Sequence, residues 1–148
     1  MFHLKDCFIM TVEEILHKYE LKNTGCRKYI LNELLDSESA LSESELKESY
    51  PDLFDRVTFY RTLKTLEDRG IIHRIVLNDN SVKYALSRPH YGEDHLHSHF
   101  HCSKCDEVLC LQGKTQFDVE LPKGFIMNQV FVVVDGICAT CNASASIA

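Results

Sequence analysis

The sequence predicts an α+β protein in two parts: a helical part that closes with a two-stranded hairpin, and a smaller β-rich part organised around cysteines. Three observations carry this. Helix-start signals recur through the first 56 residues. The hydrophobic period then shifts from helical to alternating after Gly70. Two C-x2-C pairs, Cys102/Cys105 and Cys138/Cys141, follow a Pro- and Gly-containing stretch, "SRPHYGEDH".

The helical elements follow in order. "TVEEILHKYE" starts with Thr11 and carries Glu14 three residues on, a capping box ahead of a short amphipathic helix. "TGCRKYILNELLDS" sets Ile30, Leu31, Leu34 and Leu35 at helical spacing. "LSESELKESY" repeats the cap with Ser42 and Glu45. "DRVTFYRTLKTLEDRG" runs from an Asp55 N-cap to a Gly70 stop, and Val57, Tyr60, Leu63 and Leu66 are read as its apolar stripe. Then "IIHRIVL" and "VKYAL", joined by "NDNS", read as a hairpin. Three helices followed directly by a two-stranded hairpin is the order of a winged helix-turn-helix, whose last helix before the hairpin enters the DNA major groove. The expected boundaries are a DNA-binding domain over 1–87, a linker over 88–94 and a metal-binding domain over 95–148.

Composition narrows the function. The net charge of −6 argues weakly against nucleic acid, yet most basic side chains lie before residue 89, where a local basic face can form. No apolar run reaches the ~20 residues of a membrane span, and "MFHLKDCFIM" lacks signal-peptide architecture. A cytoplasmic location without a membrane partner is expected. In a reducing compartment, the four paired cysteines among seven favour metal over disulfide. Two such pairs can deliver four thiolates to one zinc, each pair in a tight turn at a strand end.

The histidines pose a second question. "HLHSHFHCSKC" places His95, His97, His99 and His101 directly before the first pair. On a strand, His97, His99 and His101 share one face, while Ser98, Phe100 and Cys102 take the other. The four-sulfur site is already full, so these imidazoles imply a separate second metal, or else a solvated histidine-rich loop. "EVLCLQ" and "IMNQVFVVVDGIC" read as strands, the unbroken "VFVVV" marking a sheet interior or a subunit interface.

In combination, "DRVTFYRTLKTLEDRGII", H-x-H before "CSKC", and "GICATC" resemble the ferric uptake regulator family over roughly residues 11–141. The resemblance implies a homodimeric, metal-dependent binder of double-stranded operator DNA, usually a repressor. It implies no enzyme activity and no small-molecule substrate, and a C-terminal α/β dimerisation domain with a structural Zn2+ on Cys102, Cys105, Cys138 and Cys141. Tyr60 and Arg61 match the family's recognition-helix "YR", with Arg56, Thr58 and Thr62 as neighbours. An arginine can fork to guanine or clamp a phosphate, and a tyrosine can touch a thymine methyl.

The resemblance also implies a regulatory Fe2+ or Zn2+ at His97 and His99, and here the sequence departs from the family pattern. Ala40 and Ala85 stand at usual ligand positions, and Cys110 replaces an acidic residue. His90, Glu93, Asp94, His95 and His101 are the candidates to compensate. A thiolate at Cys110 is a softer ligand and favours zinc over ferrous iron. The second common family metal site is incomplete at Ser98 and near Val130, and "QGKTQFDVELPKGF" is short where many members carry a longer helix. Two other readings are a peroxide or redox sensor acting through Cys110 or a histidine, and a zinc metalloenzyme using the three histidines. The latter leaves the DNA-reading half unexplained.

Overall fold

The computed structural model describes residues 10–87, 98–111, 119–128 and 130–145. Its contacts divide the chain into two units, Met1–Arg88 and Pro89–Ala148.

The first unit runs α1 (Val12–Lys18), α2 (Gly25–Asp36), β1 (Leu41–Ser42), α3 (Glu43–Lys47), α4 (Arg56–Asp68), β2 (Ile72–Val76) and β3 (Val82–Leu86). Local chemistry sets most of these boundaries. Thr11 and Ser42 each complete a capping box, with Glu14 and Glu45 as the reciprocal partners. α4 ends in a Schellman arrangement: the Ile71 amide donates to the Leu66 carbonyl and the Gly70 amide to that of Glu67. Gly70 takes φ +69°, a left-handed conformation that glycine adopts without a Cβ clash. At the hairpin tip Asn80 also has positive φ, and Asp79 accepts from the Ser81 amide.

One core joins these elements, containing Leu16, Ile30, Leu31, Leu46, Phe59, Leu66 and Ile72. It corrects the stripe expected for α4. Val57 is 63% exposed and Tyr60 39%, whereas Phe59 is 1% exposed and packs inward with Thr62, Leu63 and Leu66. Both sets fit helical spacing, and packing against α2 selects the one carrying the wholly apolar Phe59 ring. The strand order is β1-β3-β2, with β1 an added edge strand that the sequence reading lacked. Lys83 on β3 is buried, and its ammonium reaches the Glu45 carboxylate at 3.3 Å, tying the hairpin to α3.

Asp55 starts α4. Its carboxylate accepts from the Thr58 amide at 2.9 Å and from the Thr58 hydroxyl at 2.6 Å. These two bonds, the hydroxyl's first, hold the Asp55 carboxyl below its ordinary pKa. A depressed folded-state value contributes stability that is fully present above the unfolded value, about 3.9, and is lost as pH falls through the folded one. Asp55→Ala therefore melts at lower temperature than the parent at pH 7. The gap closes as acid protonates the parent's cap, and melts recorded from pH 7 down to strong acid check this.

The second unit contains β4 (Ser98–Cys102), β5 (Val108–Cys110), β6 (Val132–Gly136) and α5 (Ala139–Ala145), with strand order β5-β4-β6. β5 runs antiparallel to β4 and β6 parallel to it. Only part of "IMNQVFVVVDGIC" is strand. Phe131 and Val134 are exposed on this chain rather than enclosed in a sheet interior. Gly136 permits the β4–β6 contact: a Cβ there would lie 2.9 Å from the Phe100 ring. Among the described residues, no helix is long and apolar enough to cross a membrane.

Candidate metal centre and nucleic-acid interface

The parallel register pairs Cys102 with Gly136, two residues ahead of Cys138, so the two cysteine pairs meet although they are distant in sequence. The first pair sits in a knuckle. The Asp106 amide returns to the Cys102 carbonyl at 2.9 Å, and Asp106 takes φ +63° to close the turn. The second pair departs from expectation, since Cys141 lies in the first turn of α5 rather than in a strand-end turn.

The ligand atoms of Cys102, Cys105, Cys138 and Cys141 all lie within 4.8 Å of one another. The Cys105 and Cys138 sulfurs are 3.7 Å apart. Tetrahedral zinc with Zn–S bonds of about 2.3 Å requires sulfurs roughly 3.8 Å apart, so the donor set fits that ion. The Cys138 amide donates to the Cys102 sulfur at 3.3 Å and the Cys141 amide to the Cys138 sulfur at 3.5 Å. Backbone amides of Cys138 and Cys105 pull the Cys102 thiol down to about 6, so it is a thiolate at neutral pH. Hydrogen bonding to Cys138 and burial push Cys141 up to about 12. Zinc bound here would supply a covalent cross-link between the knuckle and α5.

The histidines separate. His90, His95 and His97 lie outside the described residues. His99 is buried and is the direct cross-strand partner of Cys110, with a ring nitrogen and the sulfur within 4.8 Å. His101 is differently engaged: Nδ1 meets Asp135 at 2.7 Å and Nε2 meets Asp106 at 2.8 Å. Asp135 first, then Asp106, raises its pKa above the ordinary value. His101 thus braces the knuckle against β6 and has no nitrogen left for a metal. In the first unit Ala40 and Ala85 are buried and bring no ligand, although His73 stands directly across the hairpin from Ala85.

On α4, Arg56, Tyr60 and Arg61 are exposed. Arg61 also borders a shallow cleft of about 380 Å³ with Arg27, Thr58 and Thr65. Thr58 is exposed but engaged by Asp55. Thr62 is buried and donates to the Thr58 carbonyl at 2.8 Å, which withdraws it from the group expected to meet DNA. Sequence reasoning missed the surroundings of Tyr60. Its hydroxyl donates to the Glu43 carboxylate, which also accepts from Lys47 at 2.7 Å. Burial alone would raise the Glu43 pKa, but the hydrogen bonds from Lys47 and Tyr60 outweigh it and hold the carboxyl below its ordinary range. The capping box at Ser42 places Glu43 in a first helical turn, but no local signal connects it to Tyr60.

A winged helix followed by a sheet with a thiolate metal centre defines the class of metal-responsive transcription regulators. The ferric uptake regulator family model matches residues 18–120, and the chain belongs to that family. The ferric uptake regulation protein of Campylobacter jejuni is 26% identical over 147 residues, spanning 93% of this chain and 90% of its own length. Among solved structures, a zinc uptake regulator complexed with zinc and DNA superposes with a TM-score of 0.67 at 20% identity, covering 98% of this chain and 99% of that one. The Vibrio cholerae ferric uptake regulator gives 0.60 at 23% identity, with 85% and 98% covered. These two structural likenesses are likenesses of fold.

Proposed function

We propose that the protein is a metal-dependent repressor that binds a double-stranded DNA operator as a cytoplasmic homodimer and controls iron or zinc homeostasis. The observation that carries this is the outward row of Arg56, Tyr60 and Arg61 on the helix preceding the hairpin, in a chain four of whose thiols converge on a zinc-sized site. Arg61 is the base- or phosphate-reading residue, Tyr60 and Arg56 flank it, and Thr58 lies at the backbone edge. The zinc uptake regulator similar in fold was captured with zinc and DNA, which supports the same partners here.

The regulatory metal binds through His97, His99 and Cys110, with His90 and His95 as further ligands. The His99–Cys110 pair, one nitrogen and one sulfur, favours zinc over ferrous iron. Phe125, Ile126, Phe131 and Ile137 leave the second unit with exposed apolar side chains, in keeping with cover by a second copy.

The test selects a duplex from a random pool with zinc-loaded protein and follows its binding by anisotropy as metal is removed and restored. Binding that needs added metal, with the thiolate zinc retained throughout, is the expected result. Affinity unchanged after removal of the second metal would sink the switching claim. Metal analysis expects two ions per chain, falling to one in a His99→Ala, Cys110→Ala variant.

A further inference from the structure

We propose that Glu43 is a specificity-determining residue of the DNA-reading face, one that restricts what Tyr60 and Lys47 can contact. This rests on the reading of α4 as the recognition helix. The geometry shows a carboxylate with both oxygens committed: one accepts from the Lys47 ammonium at 2.7 Å, the other from the Tyr60 hydroxyl. Lys47 also lies 4.5 Å from the buried Phe59 ring and 5.6 Å from that of Tyr60, while the Arg56 guanidinium lies 5.5 Å from the Tyr60 ring. The cluster joins α3 to the exposed side of α4.

Its chemistry acts against indiscriminate binding. DNA phosphates are anionic acceptors, and a phenol grips them by donating its proton. Here that proton goes to Glu43, so Tyr60 offers DNA its ring face and an oxygen lone pair. Those suit a thymine methyl or a base amino group, which carry sequence, and not a phosphate, which does not. Lys47 is likewise neutralised by Glu43 before it meets a phosphate. An anionic carboxylate beside the reading helix also repels the backbone of any misdocked duplex. The residue therefore sacrifices non-specific affinity and gains discrimination.

The experiment compares the zinc-loaded full chain with Glu43→Gln and Glu43→Asp. Each is titrated with a duplex selected from a random pool and with an unselected duplex of equal length, over a range of salt. In Glu43→Gln, affinity for the unselected duplex rises and its log–log salt slope steepens by about 1.8, one more phosphate contact from each protomer of the dimer. The ratio between selected and unselected duplex falls about tenfold for each half-site, the scale of one lost base contact per protomer. Glu43→Asp keeps the charge but shortens the reach to the phenol, so the ratio falls while the salt slope holds. A Tyr60→Phe background removes the effect of Glu43→Asp on the ratio. Thermal melts confirm that each variant is folded. Parent-like ratio and slope in folded Glu43→Gln overturn the role of Glu43 and leave the DNA-binding reading intact. Failure of the parent to enrich any duplex overturns that reading and this inference with it.

Discussion

Stripping zinc from the four thiolates unfolds the second unit, and this is the largest effect expected in the molecule. Zinc binding in small thiolate modules contributes on the order of 10–16 kcal/mol at neutral pH, comparable with the whole stability of a domain, about 5–15 kcal/mol. The second unit has little else to hold it. Among its described residues only Ser98, His99, Cys102 and Val108 are buried, whereas the first unit has a continuous apolar core. Chelation, or Cys138→Ser, should empty the four-thiolate site and abolish hydrogen-exchange protection in β4, β5 and β6 while α2 and α4 stay protected. Cys26→Ser, at a buried thiol outside the cluster, should retain the zinc. Protection of β4–β6 that persists in the zinc-free chain would refute the structural role. Because Cys141 keeps its proton until metal displaces it, uptake also releases protons, and affinity weakens as pH falls.

Phe59→Ala destabilises the first unit by about 3–5 kcal/mol, the usual cost of deleting a buried aromatic ring. Phe59 is among the largest fully buried side chains of the core, so its removal leaves a cavity beneath α4. The adjacent Tyr60→Phe removes a surface hydroxyl and its hydrogen bond to Glu43 but leaves the core intact, and should change stability far less. Urea unfolding followed through the helical signal separates the two, and zinc content should stay at the parent's value in both. Equal midpoints for the two variants would mean that the inward face of α4 has been misassigned.

That pair of neighbours shows where sequence reading succeeds and where it stops. The capping boxes at Thr11 and Ser42, the Asp55 cap and the Gly70 stop are legible because each is a hydrogen-bonding problem solved within a few residues. The stripe of α4 is not, because two sets of positions satisfy one period and only the facing helix distinguishes them. The same division runs through the candidate sites. Paired C-x2-C spacing names the four sulfur ligands, but nothing local shows that His101 is held by Asp106 and Asp135. Nothing local shows that Glu43 holds Tyr60, either.

The sequence by itself determined the two-part α+β organisation, the helix boundaries of the first unit, the winged-helix order and the pairing of the four cysteines that can hold zinc. Each depends on short-range backbone chemistry or on ligand spacing within a turn. Tertiary structure alone decided which face of α4 is buried, which histidine pairs with Cys110, and that β6 lies parallel beside β4 to unite the cysteine pairs. Those outcomes depend on contacts between residues far apart in the chain, where strand register and side-chain packing, rather than local propensity, set the free energy.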